Sequence, residues 1–267
     1  MPKVKELKKR HKEEYLLQIE LDDGSINDYV VSTDLVVEYR LLKGKDLTTS
    51  MYQSFERDQN IDKVYQTTLR YVLKYQKSEY ETKEYLRKKE VQDEFIELVI
   101  SKLKKMRAID DQVLIRSFVE YQFERQLNGP EKIKFGLKQK GFEDSLISQN
   151  LSFIGYREIE NNLEALLSKR LSLYKNKSVS SAMRMMTSYL VQKGYDLNRV
   201  QAFIINHKTD FTDFLQDGLS ILAEYDKAKK KYSKTTENQY ELQQKIIASL
   251  LSKGYAYADI KKVLERR

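Results

Sequence analysis

One pattern recurs four times along this chain, and it limits the folds available more than any other feature. It reads Leu86-x-x-Lys89-Glu90-Val91, then Leu137-x-x-Lys140-Gly141-Phe142, Leu190-x-x-Lys193-Gly194-Tyr195 and Leu250-x-x-Lys253-Gly254-Tyr255. Five residues beyond each last apolar position comes Ile96, Ile147, Val200 or Ile260, and four further on Ile100, Leu151, Ile204 or Leu264. The register holds without a gap in all four copies. Glycine just past a helix end tolerates the left-handed backbone that closes a C-cap, and the apolar residue after it packs back onto the last turn. Lysine in that turn faces the negative end of the helix dipole. Glu90 stands where the other copies have Gly, so its cap is expected to be strained or of a different type. Each motif therefore ends one helix, and the i, i+4 apolar pair after it starts another.

The lysines of the four motifs lie 51, 53 and 60 residues apart, a spacing that suits three helices per repeat. The expected architecture is mostly α, with tandem three-helix repeats in an elongated, curved array and a small N-terminal unit containing a β-hairpin. The expected segments are 1–57 for the β-rich unit with a short helix, then repeats at 58–107, 108–157, 158–210 and 211–267. Repeat one reads as helices near 58–75, 79–88 and 92–105, with Ser78 and Glu81 at capping-box spacing. Asp110 or Asp111 can cap the first helix of repeat two. Gly129-Pro130 opens its second, with proline in the first turn where a missing N–H costs nothing. Repeat three runs from about Ile159 to Asn206, with Ser178 or Ser180 near its second helix start. Repeat four runs from about Asp213, with Thr235 or Thr236 in the same role. Longer second helices in the last two copies account for part of the drift in spacing.

At the N-terminus, 14–21 and 26–31 are β-rich and flank the turn signal Asp22-Asp23-Gly24-Ser25, a hairpin pattern. Val4–Lys8 can add a third strand. Thr33 or Asp34 can cap a short helix through about Leu42, ended by Lys43-Gly44-Lys45. A two-stranded ribbon is marginal alone, so this unit must pack on its helix, on the repeats or on a partner.

The segment Lys77-Ser-Glu-Tyr-Glu-Thr-Lys-Glu-Tyr-Leu86, then Ile109-Asp110-Asp111, then Asn128-Gly129-Pro130-x-x-Ile133-x-x-x-Leu137-x-x-Lys140-Gly141 resembles the RecX regulatory proteins. The resemblance is strongest over Leu69–Leu151, and beyond it the repeat register carries it. The N-terminal segment fits the longer form found in some Gram-positive bacteria. Lys77, where many members have Arg, and Glu90, where Gly is usual, depart from the pattern. The resemblance implies a modulator that binds the RecA–DNA filament in its groove. It implies inhibition of ATP hydrolysis and strand exchange, and limits on filament growth. A stack of three-helix units has a shape able to follow such a groove. A monomer is expected, with weak direct DNA contact.

Charge agrees with a polyanionic partner. The chain has 48 Lys/Arg against 40 Asp/Glu, net +8, while residues 1–57 hold 10 against 11. The positive excess therefore sits in the repeats. Basic side chains expected outside the apolar stripes are the candidate partner contacts. These are Arg70, Lys74, Lys77, Arg87 and Lys88 in repeat one, then Arg116, Arg125, Lys132, Lys134 and Lys138 in repeat two. Repeat three adds Lys169, Arg170, Lys175 and Lys177. Each is otherwise a solvated surface charge.

The chain is read as non-enzymatic, without cofactor or metal. His11 and His207 lie far apart without a ligand pattern, and cysteine is absent, which fits a reducing cytoplasm. No Gly-rich nucleotide loop or Gly-x-Ser-x-Gly occurs. Asp22-Asp23 and Asp110-Asp111 read as turn and cap rather than catalytic pairs. Tyr65, Tyr71, Tyr75, Tyr80 and Tyr85, and the cluster Met183, Met185, Met186, read as core packing. No apolar run is long enough for a membrane span, and Met1–Arg10 has no apolar stretch after its charges, so no secretory signal is expected. Two alternatives remain: a helical protein that binds DNA directly, or a helical-repeat scaffold for an unrelated protein.

Overall fold

A computed structural model describes residues 1–10, 14–175, 177–215 and 217–265. They divide into two compact units, 1–114 and 115–267.

The first unit begins with an antiparallel sheet in the order β1 (Lys3–Lys9), β2 (Glu14–Glu20), β3 (Ile26–Ser32). The hairpin turn is set by Asp23, whose carboxylate accepts from the Ser25 amide at 2.9 Å and its hydroxyl at 2.6 Å, with Gly24 at φ +83°. Alternation along the strands sends Val4, Leu17, Ile19 and Val31 to one face. There they meet Leu35, Leu41, Leu47 and Phe55. Tyr29 and Tyr39 approach the Phe55 ring edge-on at 5.2 and 5.6 Å, a favoured aromatic geometry. Burial raises the phenol pKa of both tyrosines, and their bonds to Tyr52 and Asp58 add to it.

The short helix α1 runs Thr33–Glu38 and is capped by Ser32, one residue before the expected Thr33 or Asp34. It also ends before the expected Leu42, because Arg40 takes the left-handed conformation at φ 48° and closes the cap. Helix α2 runs Thr49–Tyr75, capped by the Thr48 hydroxyl, and so begins well before the expected Asp58. Its early start has a physical cause. The N-terminal half supplies Phe55 to the sheet core, and the C-terminal half supplies Tyr65 and Val72 to the helical core. One helix of 27 residues, about 40 Å at 1.5 Å per residue, thus serves two cores.

The helical core of this unit joins α2 to α3 (Glu79–Arg87) and α4 (Asp93–Lys105) through Leu86, Ile96, Val99, Ile100 and Leu103. Each such side chain contributes about 1.5–3 kcal/mol on burial. The expected capping box at α3 is present, with Glu81 N–H donating to Ser78 Oγ at 3.0 Å and Ser78 N–H to Glu81 Oε2 at 3.1 Å. Tyr71 and Tyr85 stack at 4.0 Å, and Tyr65 is buried. Tyr75 and Tyr80 are half exposed, so not all the tyrosines read as core reach it.

Helix α5 (Asp111–Glu120) leads into the second unit, its start capped by the Asp110 carboxylate, which accepts from Gln112 and Val113. A π-helical turn, 121–125, follows. Then come α6 (Pro130–Gln139), α7 (Asp144–Leu151), α8 (Tyr156–Arg170), a 3-10 turn, α9 (Val179–Gln192) and α10 (Leu197–Asn206). The unit continues with α11 (Lys208–Leu215), α12 (Asp217–Tyr232), α13 (Gln239–Ser252) and α14 (Tyr257–Glu265). Gly129 and Ser178 stand at the expected N-caps of α6 and α9. Asn238, not Thr235 or Thr236, caps α13, accepting from Tyr240 and Glu241. Residues before α12 form a separate helix, α11, packed on α9 and α10. The second helices lengthen as expected, from 9 and 10 residues in α3 and α6 to 14 in α9 and α13. Met186 is buried in α9, whereas Met185 is exposed.

All four motifs close their helices alike. Val91, Phe142, Tyr195 and Tyr255 donate to Leu86, Leu137, Leu190 and Leu250, each at 3.2 Å. Gly141, Gly194 and Gly254 take φ of +84°, +92° and +85°, and Glu90 takes +59°. The first cap is thus of the same type as the others and strained, because a side chain occupies the left-handed region.

Two of these caps also join helices end to end. Gly129 N–H donates to Lys193 O at 2.7 Å and Glu131 N–H to Gly194 O at 3.0 Å, so the C-terminus of α9 meets the N-terminus of α6. Ser178 Oγ donates to Lys253 O at 2.7 Å, which sets the end of α13 against the start of α9. At the first junction orphan N–H donors of α6 satisfy orphan carbonyls of α9, at the second a capping hydroxyl does so, and at both opposite dipole ends face each other. A Cβ on Gly129 would lie 2.3 Å from Gly194 O, and one on Gly194 2.4 Å from Lys132 Cβ.

Glu90→Gly is expected to stabilise the protein by about 1 kcal/mol by relieving the left-handed side chain. Gly194→Ala, which meets both the backbone conformation and the Lys132 contact, is expected to lose about 2 kcal/mol or more. Urea denaturation of the two variants checks both signs. Glu79 binds Lys104 at 2.8 Å and Lys83 at 3.0 Å, and these bonds, Lys104 first, hold its carboxyl below its ordinary 4.5. That stability is present above pH 4.5 and is lost as pH falls through the depressed value. Lys104→Gln should begin acid unfolding at a higher pH than wild type, followed by circular dichroism.

Candidate polyanion-binding surface

None of the fourteen candidate basic side chains is buried, as expected of a solvent-facing set. They differ in what holds them. In the first unit, Arg70 meets Glu14 at 3.4 Å, Lys77 meets Glu81 at 3.0 Å, and Arg87 meets Glu84 at 2.9 Å and Asp93 at 3.6 Å. Lys74 lies 5.0 Å over the Tyr75 ring. In the second unit, Lys134 and Lys138 share Asp144 at 3.8 and 2.8 Å. Lys77–Glu81 is half-buried, while the other pairs are more exposed, contribute only about 0–1 kcal/mol each and compete weakly with an outside anion. Lys88, Arg116, Arg125, Lys132, Lys169, Lys175 and Lys177 form no ion pair with another described residue.

The end-to-end junction of α9 and α6 concentrates positive charge. Lys193, in the last turn of the motif, donates through Nζ to Gln126 O at 2.9 Å and Asn128 Oδ1 at 3.4 Å. Those acceptors belong to the turn that follows the π-helical stretch, where Leu127 takes φ +50°. Burial lowers the Lys193 pKa most, and Lys132, Arg170 and Lys169 lower it further. Beyond burial, the charged groups that lower it, Lys132, Arg170 and Lys169, are all cations. Lys132 is brought there because its backbone lies against Gly194. Arg170 is braced from α8, with its guanidinium 3.9 Å over the Tyr189 ring and Nε donating to Tyr174 Oη at 3.1 Å. Beneath them Tyr195 donates to Leu127 O at 3.2 Å, and burial pushes its phenol up to about 12. Three predicted residues, Lys132, Lys169 and Arg170, are thus gathered around Lys193, which sequence reasoning assigned to helix capping alone. Like charges held together, with no carboxylate among the described residues that act on Lys193, are suited to a phosphate or another anion.

His207 pairs with Asp210 at 2.8 Å and lies against Phe203, which makes it a local helix-end contact. His11 lies outside the described residues. Among the described residues no cluster of His, Cys, Asp and Glu could hold a metal, and no helix is long and apolar enough to cross a membrane.

Helices in groups of three, each group's second helix closed by a left-handed cap, with the additional helix α11, define a helical-repeat protein. The comparisons agree. Residues 222–264, which cover most of α12 through α14, match the family description "RecX, third three-helix domain". A regulatory protein RecX of Oceanobacillus iheyensis is 30% identical over 261 residues, covering 97% of this chain and 94% of the relative. One of Streptococcus agalactiae is 29% identical over 257 residues, covering 96% and 97%. A crystal structure of a regulatory protein RecX superimposes with a TM-score of 0.59 at 24% identity, over 77% of this chain and 100% of that one, a likeness of fold. The chain belongs to the RecX family of regulatory proteins.

Lys169→Glu replaces one cation acting on Lys193 by an anion. The Lys193 pKa is expected to rise, read by NMR titration of side-chain-labelled lysine.

Proposed function

We propose that this chain binds the RecA–DNA filament and restrains it, inhibiting ATP hydrolysis, strand exchange and filament growth. Membership in a family of regulatory proteins along nearly the whole chain carries this reading. The cationic junction around Lys193 supports it, since a nucleoprotein filament is a polyanion. In this reading Lys132, Lys169, Arg170 and Lys193 make the central contact. Arg116, Arg125, Lys175 and Lys177 add longer-range attraction, and the ion-paired Arg70, Lys77, Arg87, Lys134 and Lys138 contribute less. The protein acts in the cytoplasm and without a catalytic step of its own. The segments 1–57, 58–107, 108–157, 158–210 and 211–267 serve as its functional divisions, the first two sharing helix α2. Where several repeats touch successive filament subunits, effective concentration strengthens binding.

The DNA-dependent ATPase of RecA from a related bacterium, titrated with this protein, tests the reading. Inhibition below one copy per RecA, with weak binding to bare single-stranded DNA, is the expected result. Lys132→Glu with Lys169→Glu should weaken inhibition about tenfold and lower the salt slope of binding by roughly one per charge removed. No inhibition at equimolar protein overturns the proposal. Tight, salt-sensitive binding to bare DNA would then make the chain a direct DNA binder.

A further inference from the structure

A groove of about 1070 Å³ runs along α9 on the second unit, and the cationic junction uses none of its residues. Its floor is one face of α9, with Val179, Met183, Thr187 and Val191 at four-residue intervals. These positions line up along a helix. Leu197 and Ile205 of α10 form the wall, 49% and 66% exposed. The floor helix has 14 residues, about 21 Å long. An i, i+4 ridge of that length accepts the complementary ridge of another helix.

Charge at the groove selects the kind of helix. Arg184 and Lys208 line it, both exposed, and neither forms an ion pair with a described residue. The carboxylate that lines it, Asp259, is held by Lys262 at 3.1 Å. The groove thus offers two uncommitted cations beside an apolar floor. A nucleic-acid strand would find donors in Ser180, Ser188, Gln192 and Gln201 of the lining, but it would leave the apolar side chains of Val179, Met183, Val191 and Ile205 uncovered. An amphipathic helix buries its apolar stripe on the floor and brings carboxylates to the two cations. Methionine on the floor adapts to varied side chains.

We propose that this groove docks a single acidic amphipathic helix from a protein partner. It goes beyond the filament reading, uses different residues, and stands or falls separately.

The test uses the full chain and a fluorescein-labelled 16-residue helical peptide with leucine at every third and fourth position and glutamate on the flanks. A second peptide carries lysine in place of glutamate. Fluorescence anisotropy should show micromolar binding of the acidic peptide and at least tenfold weaker binding of the basic one. Ile205→Asp, at an exposed position that folding does not need, should weaken acidic-peptide binding at least tenfold. Arg184→Glu with Lys208→Glu should reverse the preference between peptides. No binding of the acidic peptide, equal binding of both, or indifference to Ile205→Asp overturns the proposal. So does a dimer of the unliganded chain in sedimentation equilibrium that Ile205→Asp dissolves, since a second copy would then fill the groove.

Discussion

A left-handed turn at the end of each second helix is the constraint from which most of this structure follows. The turn stops the helix, returns an apolar side chain onto the last leucine, and sets where the third helix begins. Leu86, Leu137, Leu190 and Leu250 are all buried beneath it, as are Ile96, Ile147, Val200 and Ile260 at the start of the helix that follows. The same geometry recurs where no glycine is present, at Glu90 and at Arg107, whose φ is 53° and whose neighbour Ala108 donates to Leu103 at 2.9 Å. Packing around the turn therefore imposes the backbone conformation, and glycine lowers its cost.

In the second unit the turn has a further task. Its exposed carbonyls are taken up by the N-terminus of another group's second helix, through Gly129 and Glu131 at one junction and Ser178 at the other. Backbone groups at helix ends must find partners, and here each set supplies the other. Close approach of the two backbones excludes a side chain at Gly129, which has no left-handed conformation to explain it. The first unit solves the same problem differently, with the Asp111 carboxylate accepting from Glu79 N–H at 3.0 Å at the start of α3. Burial raises the Asp111 pKa above its ordinary value, the largest influence on that group.

The surface charge is a consequence of this arrangement. The motif lysine suits the dipole at a helix C-terminus, but at Lys193 the junction also brings Lys132 from the next helix start and Arg170 and Lys169 from α8. Their grouping creates a local excess that net charge alone does not locate. Elsewhere lysine and glutamate alternate at helical spacing and neutralise one another, as Lys77 does with Glu81 and Lys83 with Glu79. The apolar face of α9 is a separate surface with its own rim cations, Arg184 and Lys208.

Much of the fold was legible before any coordinates, because local rules dominate it. Period-two alternation and the Asp-Gly turn determined the hairpin. The Leu-x-x-Lys-Gly-apolar motif determined where four helices end, and Ser78, Asp110 and Gly129-Pro130 determined where three begin. Boundaries that depend on nonlocal packing were missed. Helix α2 extends back to Thr49 because Phe55 is needed under the sheet, and the short helix α11 exists because Phe211 and Leu215 find cover against neighbouring helices. The basic residues were visible as a class, yet only the tertiary structure separates the paired Arg70, Arg87 and Lys138 from the gathered Lys132, Lys169 and Arg170. Sequence by itself determined the helical-repeat class, the C-caps of the four motifs and the sign of the surface, since each rests on residues within a few positions of one another. Which charges converge and which apolar face stays uncovered were decided by contacts between residues as far apart as Lys132 and Gly194, and no local pattern encodes those.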